Sequence, residues 1–399
     1  MGILSNTVSI CQFRVTGALP EGDLYQWSSD RLAENAFKSI DNTAQELSLG
    51  WVHVDDMEQG SFDTPRAFWR DNYTVFTLRR DQRKAPSVLL KAEMAKAESE
   101  FLAANPTFKR VPKGERDNLR DRVRASLFSR ILPSPTTYDA LWDRKNGIVT
   151  FTSLSPKTVD LFEDLFRKTF VGLRLVMIHP LARGEMVLDD ETATLLKQAN
   201  RASSEDVVSL IKENTWLGMD FMRWLMYKTM EDSSEYEVNR PGHFMEGEPY
   251  VAYINDRLIL KGASERGVQK ISVAGPQDNF SEVRTAVRLG KEITEATIYL
   301  EREEEESWKL TLKGEMFHFA SLKSPAVRIE KDEVTDEGSE REAVFYERMY
   351  LLEKGLQLFD SLYADFLRSR LGSGWAKEAA DIEEWLASDD ESSNGGGTC

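Results

Sequence analysis

Residues 140–178 read ALWDRKNGIVTFTSLSPKTVDLFEDLFRKTFVGLRLVMI. Residues 140–142 and 148–152 are short apolar and β-branched runs, separated by Lys145-Asn146-Gly147. An Asn-Gly step suits a tight hairpin because both residues tolerate positive φ, so the pattern predicts an antiparallel pair. Ser155-Pro156 then opens a helix running to Phe170, and residues 173–178 form a further strand. Hairpin, helix and strand in immediate succession mark an α+β unit.

The same reading extends outward. Upstream, residues 8–16 form a strand ending at Gly17, residues 24–37 a helix, and residues 49–54 and 73–78 strands. Two helices follow. The first starts at Pro86-Ser87, with Ser87 as N-cap, runs through good helix formers over 89–104, and stops at Asn105-Pro106. The second spans 115–130 with the apolar stripe Leu119, Val123, Leu127 and Ile131, and is closed by Pro133 and Pro135.

Downstream, 203–212 and 217–230 read as helices and 231–247 as a loop. Residues 250–261 read as a hairpin around Asn255-Asp256, 268–273 as a strand, and 280–290 as a short helix. Strands at 294–300 and 308–312 and a continuation over 315–322 complete the sheet. A last long helix, 343–371, carries Phe345, Met349, Leu352, Leu356, Phe359, Tyr363 and Phe366 on one heptad-like seam. That seam either packs on its own sheet or forms a subunit interface. The fold class expected is α+β: two mixed α/β units with antiparallel sheets and a long C-terminal helix. The boundaries expected are an N-terminal unit 1–180 with a basic segment 79–130, a helical insert 181–247, a second unit 248–340, a helical segment 341–385 and a disordered acidic tail 386–399.

The chain has 399 residues, 41% of them hydrophobic, and a formal charge of −16, which fits several globular domains and excludes a wholly disordered chain. No apolar run approaches the length of a membrane-spanning helix, and the N-terminus shows no signal-peptide pattern. Cys11 and Cys399 lie at opposite ends and define no disulfide framework, so a soluble, cytoplasmic protein is expected. His53, His179, His243 and His318 are scattered, with no zinc spacing. No phosphate-binding glycine loop and no nucleophile elbow is present, so no cofactor and no metal is implied. Asp55-Asp56, Asp189-Asp190-Glu191 and the run 303–306 are metal candidates by count only; such a run between strands is ordinarily a solvated turn.

The negative total conceals a basic segment. Residues 79–130 hold fourteen Arg or Lys against seven Asp or Glu, a net of +7, which leaves −23 for the rest. Arg116, Arg120 and Arg124 recur at helical spacing beside the apolar stripe, with Lys109, Arg110 and Lys113 leading in. Two readings stand side by side: a solvated face paired with Glu115, Asp117 and Asp121, or a surface that tracks phosphates by charge. Arg284, Arg288 and Lys291 form a smaller cluster of the same kind.

The ordered series Lys91-Ala92-Glu93-Met94-Ala95-Lys96, Lys113-Gly114-Glu115-Arg116-Asp117-Asn118-Leu119-Arg120-Asp121, Ser126-Leu127, Leu141-Trp142-Asp143 and Asn146-Gly147 resembles the RdgC family of bacterial recombination-associated proteins. Leu49-Gly50-Trp51-Val52 upstream, and Gln277-Asp278 and Gly290-Lys291 downstream, also fit. The resemblance covers 1–180 and about 277–325, and it is poor over 181–276. It implies a homodimeric ring with a basic hole, through which double-stranded DNA passes without sequence preference. It also implies a nucleoid-associated protein that modulates RecA-dependent recombination by competing with recombinase filaments for DNA. Two features depart from the family. The family's loop before the Trp142 strand can carry an aromatic at a ring interface, and residues 132–137 have none. A Lys-Gln pair that reaches DNA maps to Pro276-Gln277, where only Gln277 matches; Lys270, Arg284 or Lys291 would compensate.

Three functions follow as expectations. The first is a non-enzymatic duplex-binding ring using Lys109, Arg110, Lys113, Arg116, Arg120, Arg124, Lys270, Gln277, Arg284, Arg288 and Lys291. The second is a metal-dependent exonuclease, an activity older labels give the family. The third is a recombination antagonist that binds protein partners rather than DNA.

Overall fold

The computed structural model describes residues 2–264, 267–303, 306–328 and 336–388. In chain order the elements begin with β1 (Thr7–Thr16), α1 (Leu24–Glu34), β2 (Leu47–Val52), α2 (Pro65–Phe68), β3 (Trp69–Arg70) and β4 (Tyr73–Gln82). Next come α3 (Ser87–Ala104), α4 (Lys113–Phe128), β5 (Ser134–Asp143), β6 (Ile148–Phe151), α5 (Pro156–Thr169) and β7 (Arg174–Met177). The helices α6 (Pro180–Val187), α7 (Asp190–Ala199), α8 (Val207–Glu213) and α9 (Trp216–Glu231) follow. Then come β8 (Glu235–Glu237), β9 (Pro249–Ser264), β10 (Gly267–Val273), α10 (Ser281–Arg288), β11 (Glu292–Glu301), β12 (Ser307–Lys313) and β13 (His318–Lys323). Two helices close the chain, α11 (Glu337–Leu371) and α12 (Trp375–Ala387). The mixed α/β class and the long C-terminal helix are as expected.

The chain divides into two units: a smaller one of residues 15–151 and 156–175, and a larger one of 1–14, 152–155 and 176–399. In the smaller unit β6-β5-β4-β2 pair antiparallel in that order, with β3 on β4. The hairpin at Asn146-Gly147 forms where the sequence places it, with Asp143 paired to Ile148. Helix α5 packs its aromatic face on this sheet: Phe162 stacks on Phe151 at 4.0 Å, and Trp51 donates its indole N–H to Thr169 at 2.7 Å. Burying such large apolar groups is the main favourable term in folding. Gly50 is required here, since a Cβ would lie 2.2 Å from the Phe37 backbone.

The larger unit has the strand order β10-β9-β11-β12-β13-β1, with β8 on β9. Helices α9 and α11 lie on it. The seam of α11 is intramolecular: Phe345, Met349, Leu352, Phe359, Tyr363 and Phe366 are buried, and Phe359 meets Phe319 of β13 at 4.9 Å. Its apolar stripe therefore serves the unit's own core and is not available as a subunit interface. The α9 backbone approaches the β12–β13 turn so closely that a Cβ on Gly218 would lie 2.2 Å from Gly314 O.

Several local expectations are corrected. Residues 250–261 are not a hairpin: β9 runs straight through Asn255-Asp256. The register along β11 steps from Ala296↔Leu258 to Ile298↔Ile254, so the extra residues of β9 are absorbed as a bulge with Asp256 at φ 63. Residues 132–137 are not all loop, because β5 starts at Ser134. Pro135 is tolerated there because β6 pairs only from Ala140 onward, leaving β5 an edge at that end. Ser87 is the first helical residue of α3, not its cap. The helix begun at 24 ends at Glu34, because Trp51 N–H takes Asn35 O in a strand-like bridge. Residues 203–206 precede α8 as a bent stretch, with Asp206 as its cap. Helices α6 and α7 fall in the region expected to be a helical insert, and strand β8 forms within the stretch read as a loop. Of the tail expected over 386–399, residues 386 and 387 instead finish α12, where Leu386 is buried, and 389–399 lie outside the described residues, as do Glu304 and Glu305 of the acidic turn.

Candidate nucleic-acid interface

The basic segment folds as a helical hairpin in the smaller unit. Helix α3 is built of Ala, Lys, Glu and Leu, and none of its residues is buried. It ends at Asn105, whose side chain donates back to Phe101 O at 2.9 Å. Helix α4 buries Leu119, Leu127 and Phe128, so the predicted stripe is real at two positions, with Val123 half-buried. A groove of about 350 Å³, lined by Phe101, Leu119, Arg122 and Val123 among others, lies between the helices.

One buried arginine fixes this hairpin to the unit. The Arg83 guanidinium, 1% exposed, donates to five main-chain carbonyls: Ile40, Asp41, Thr43, Gln45 and Ile131. Ile131 follows α4 directly, so the clamp holds the helix end against the 40–45 loop. Arg79 is likewise consumed, by Asp81 at 2.9 Å and Glu58 at 2.7 Å. The +7 of residues 79–130 therefore includes cations that never reach solvent.

The three arginines at helical spacing are exposed, and each has a carboxylate partner. Arg116 meets Glu98 of α3 at 2.7 Å, Arg120 meets Asp117 at 3.7 Å, and Arg124 meets Glu46 at 2.5 Å. Of the partners expected, only Asp117 is used. The arginine side chains are 58%, 55% and 48% exposed, so each pair contributes about 0–1 kcal/mol and exchanges readily. Lys109, Arg110 and Lys113 are exposed, and among the described residues no carboxylate pairs with them. Lys109 and Arg110 lie just before α4 in the chain and Lys113 is its first residue; the helix starts after Pro112 and has no side-chain cap. Uncapped N–H groups and the positive end of the helix dipole add to those cations. Lys91, Lys96, Arg122 and Arg130 are further exposed cations on the hairpin that the sequence reading did not select. Their signal, charge off the apolar stripe, was available but unspecific.

The second predicted group does not form a site. Lys270 is exposed on β10, opposite Lys261 of β9. Gln277 is spent on its own turn, donating its side-chain amide to Gly275 O at 2.8 Å and its main-chain N–H to Asn255 at 2.9 Å. Arg284 is turned inward. It is 5% exposed and donates to Trp385 O at 2.5 Å and to Ser388 Oγ at 2.7 Å, with its guanidinium over the Trp385 ring. It caps the C-terminal end of α12, where the dipole favours a cation. Arg288 is exposed and reaches Thr285 and Ala387 O. Lys291 lies half-buried against Gly262.

The carboxylates singled out by count have structural duties. Asp55 pairs with Arg70, Asp56 accepts from Glu58 N, Asp189 caps α7, and Glu306 pairs with Lys354 at 2.6 Å. Among the described residues no three His, Cys, Asp or Glu groups are arranged to hold a metal ion. Burial pushes His179 and His318 down to about 4, so both are neutral at pH 7. Among the described residues no helix is long and apolar enough to cross a membrane.

Residues 12–190 match the sequence model of the family described as "Putative exonuclease, RdgC". Over that span the chain is similar to the RdgC family. The match includes the second half of β1, the smaller unit's helices and strands from α1 to β7, and the α3–α4 hairpin with its cations. No curated protein matches the chain.

Proposed function

We propose that the chain binds double-stranded DNA through its phosphates, without reading base sequence. The observation that carries this is the uncapped α4 N-terminus, with Lys109 and Arg110 exposed just before it and Lys113 exposed as its first residue, none of them ion-paired among the described residues. Such a cluster releases condensed counterions from a duplex and contacts no base edge. Arg116, Arg120 and Arg124 extend the strip, because a phosphate can displace a weak exposed carboxylate. Lys270 of the second group is exposed and, among the described residues, has no ion pair. The family resemblance supports a homodimeric ring around the duplex and, through occupancy of DNA, competition with recombinase filaments in RecA-dependent recombination. In this reading the protein is nucleoid-associated, needs no cofactor and performs no chemistry.

The test is binding to a random-sequence duplex across a salt series. Affinity should fall steeply between about 50 and about 200 mM salt, with a log–log slope near 0.9 per phosphate contacted. Affinity that stays flat would remove the electrostatic basis. Incubation of linear DNA with Mg²⁺ or Mn²⁺ decides the chemistry: degradation abolished by EDTA would establish the exonuclease instead. A monomeric sedimentation profile would refute the ring.

A further inference from the structure

The loop that joins α3 to α4 carries a side chain that phosphate binding does not use. Residues 105–114 read NPTFKRVPKG and hold three cations and no carboxylate. Phe108 stands next to those cations. Among the described residues it is the only exposed phenylalanine, with 45% of its surface in solvent. Covering such a ring is ordinarily favourable, and here it has a tilted contact with Phe101, 6.1 Å between centroids.

The backbone fixes where the ring sits. Residues 105–108 form a turn closed by Phe108 N–H to Asn105 O at 3.1 Å, with Pro106 at the position such a turn favours. Pro112 bounds the loop on its other side, directly before α4. A loop held between two prolines has little freedom left to lose on binding, so ring and cations are presented together.

The combination selects its partner. Lys109, Arg110 and Lys113 are exposed, without an ion pair among the described residues, and complement a polyanion. An apolar ring beside phosphate-binding cations suits entry between base pairs, where one side chain is enough to part a step. A lipid surface fits less well. Interfacial binding grows with the apolar area buried, and beside Phe108 the only exposed apolar side chain of this loop is Pro106.

We propose that Phe108 is a wedge: with Lys109, Arg110 and Lys113 on the phosphates, its ring enters the base stack, so the chain favours duplexes whose stacking is already weakened at a mismatch. This rests on the duplex-binding reading and divides its labour. The cations set affinity for any duplex, and the ring sets the preference among duplexes. Parting a step opposes insertion, and a mismatched step is already partly parted.

The experiment is competition binding of the full chain to two hairpin-capped duplexes that differ in one central mismatched pair, with 2-aminopurine beside it. The mismatched duplex should bind about five- to tenfold tighter, and 2-aminopurine fluorescence should rise as its neighbour unstacks. Phe108→Ala should bring the ratio to about one and abolish the rise, whereas Phe108→Leu, still an apolar wedge, should keep most of both. Replacing Lys109, Arg110 and Lys113 by Ala should weaken both duplexes alike and preserve the ratio. Salt-dependent binding without a mismatch preference, or a preference unchanged in Phe108→Ala, would overturn the wedge and leave the duplex reading standing. No duplex binding at all would remove both. Binding to phosphatidylserine vesicles that Phe108→Ala abolishes, with the mismatch ratio unmoved, would assign the tip to a lipid surface instead. If Phe108→Ala does not fold, the unaltered chain decides: tight binding to the mismatched duplex with no fluorescence rise overturns the proposal.

Discussion

Helices α4 and α10 both carry arginines four residues apart, and the two folds treat them in opposite ways. In α4, Arg116, Arg120 and Arg124 stand about half exposed, held by single carboxylates. In α10, Arg284 lies beside the buried Val283 and points into the C-terminal end of α12, while Arg288 stays outside. Four-residue spacing reports a shared helix face; it does not report what that face meets. The difference is set by a partner far along the chain: α12 has open carbonyls at its end and α3 offers Glu98. A basic helix becomes an interface only where nothing in its own fold has greater need of the charge.

The largest expected effect lies behind α4. Arg83→Ala leaves five carbonyls without their donor and should cost about 3–5 kcal/mol of stability, read by urea unfolding. Little loss would mean that the hairpin is not clamped there. On the α10 side, Arg284→Ala should cost about 2–3 kcal/mol and leave the DNA affinity of the folded fraction unchanged. A stable Arg284→Ala protein with weakened DNA binding would reverse the comparison. Lys109→Ala, Arg110→Ala and Lys113→Ala together should leave stability unchanged, weaken duplex binding at least about tenfold at low salt, and lower the salt slope by about 2–3. The smallest effect sharpens the contrast from the other side. Glu98→Gln and Glu46→Gln release Arg116 and Arg124, so duplex binding should tighten a few-fold while stability changes by less than about 1 kcal/mol.

What was legible in the sequence was what neighbours decide. The Asn146-Gly147 hairpin, the stop at Asn105-Pro106 and the α4 stripe are local, and all three form. Asn255-Asp256 shows the limit. The same turn chemistry yields a bulge there, because β11 pairs with β9 on both sides of it and Lys309 and Tyr299 hold Asp256 in place. Helices α6 and α7 did carry signals, Pro180 at the first turn and Asp189 as a cap, within a polar stretch that hid them. The α11 seam was visible in full, but its partner was not, since Phe319 and Phe221 reach it from distant segments. Of the candidate site, the exposed cations of α4 could be read directly. The inward turn of Arg284 and the use of Gln277 in its own turn depended on tertiary contacts that no spacing encodes.

The Arg83 clamp also bears on how this chain tolerates sequence drift. Its five acceptors are main-chain oxygens, present whatever side chain stands at 40, 41, 43, 45 or 131. Apart from Ile40, whose side chain is buried for its own sake, those positions can vary without touching the clamp while position 83 cannot, since a lysine has one donor atom where five directions are needed. Substitutions recovered at random should therefore spare position 83 while the exposed acceptor positions 41, 43 and 45 accept change. A defect at position 83 would pass in a DNA-binding screen for a lost contact, although Arg83 never faces solvent.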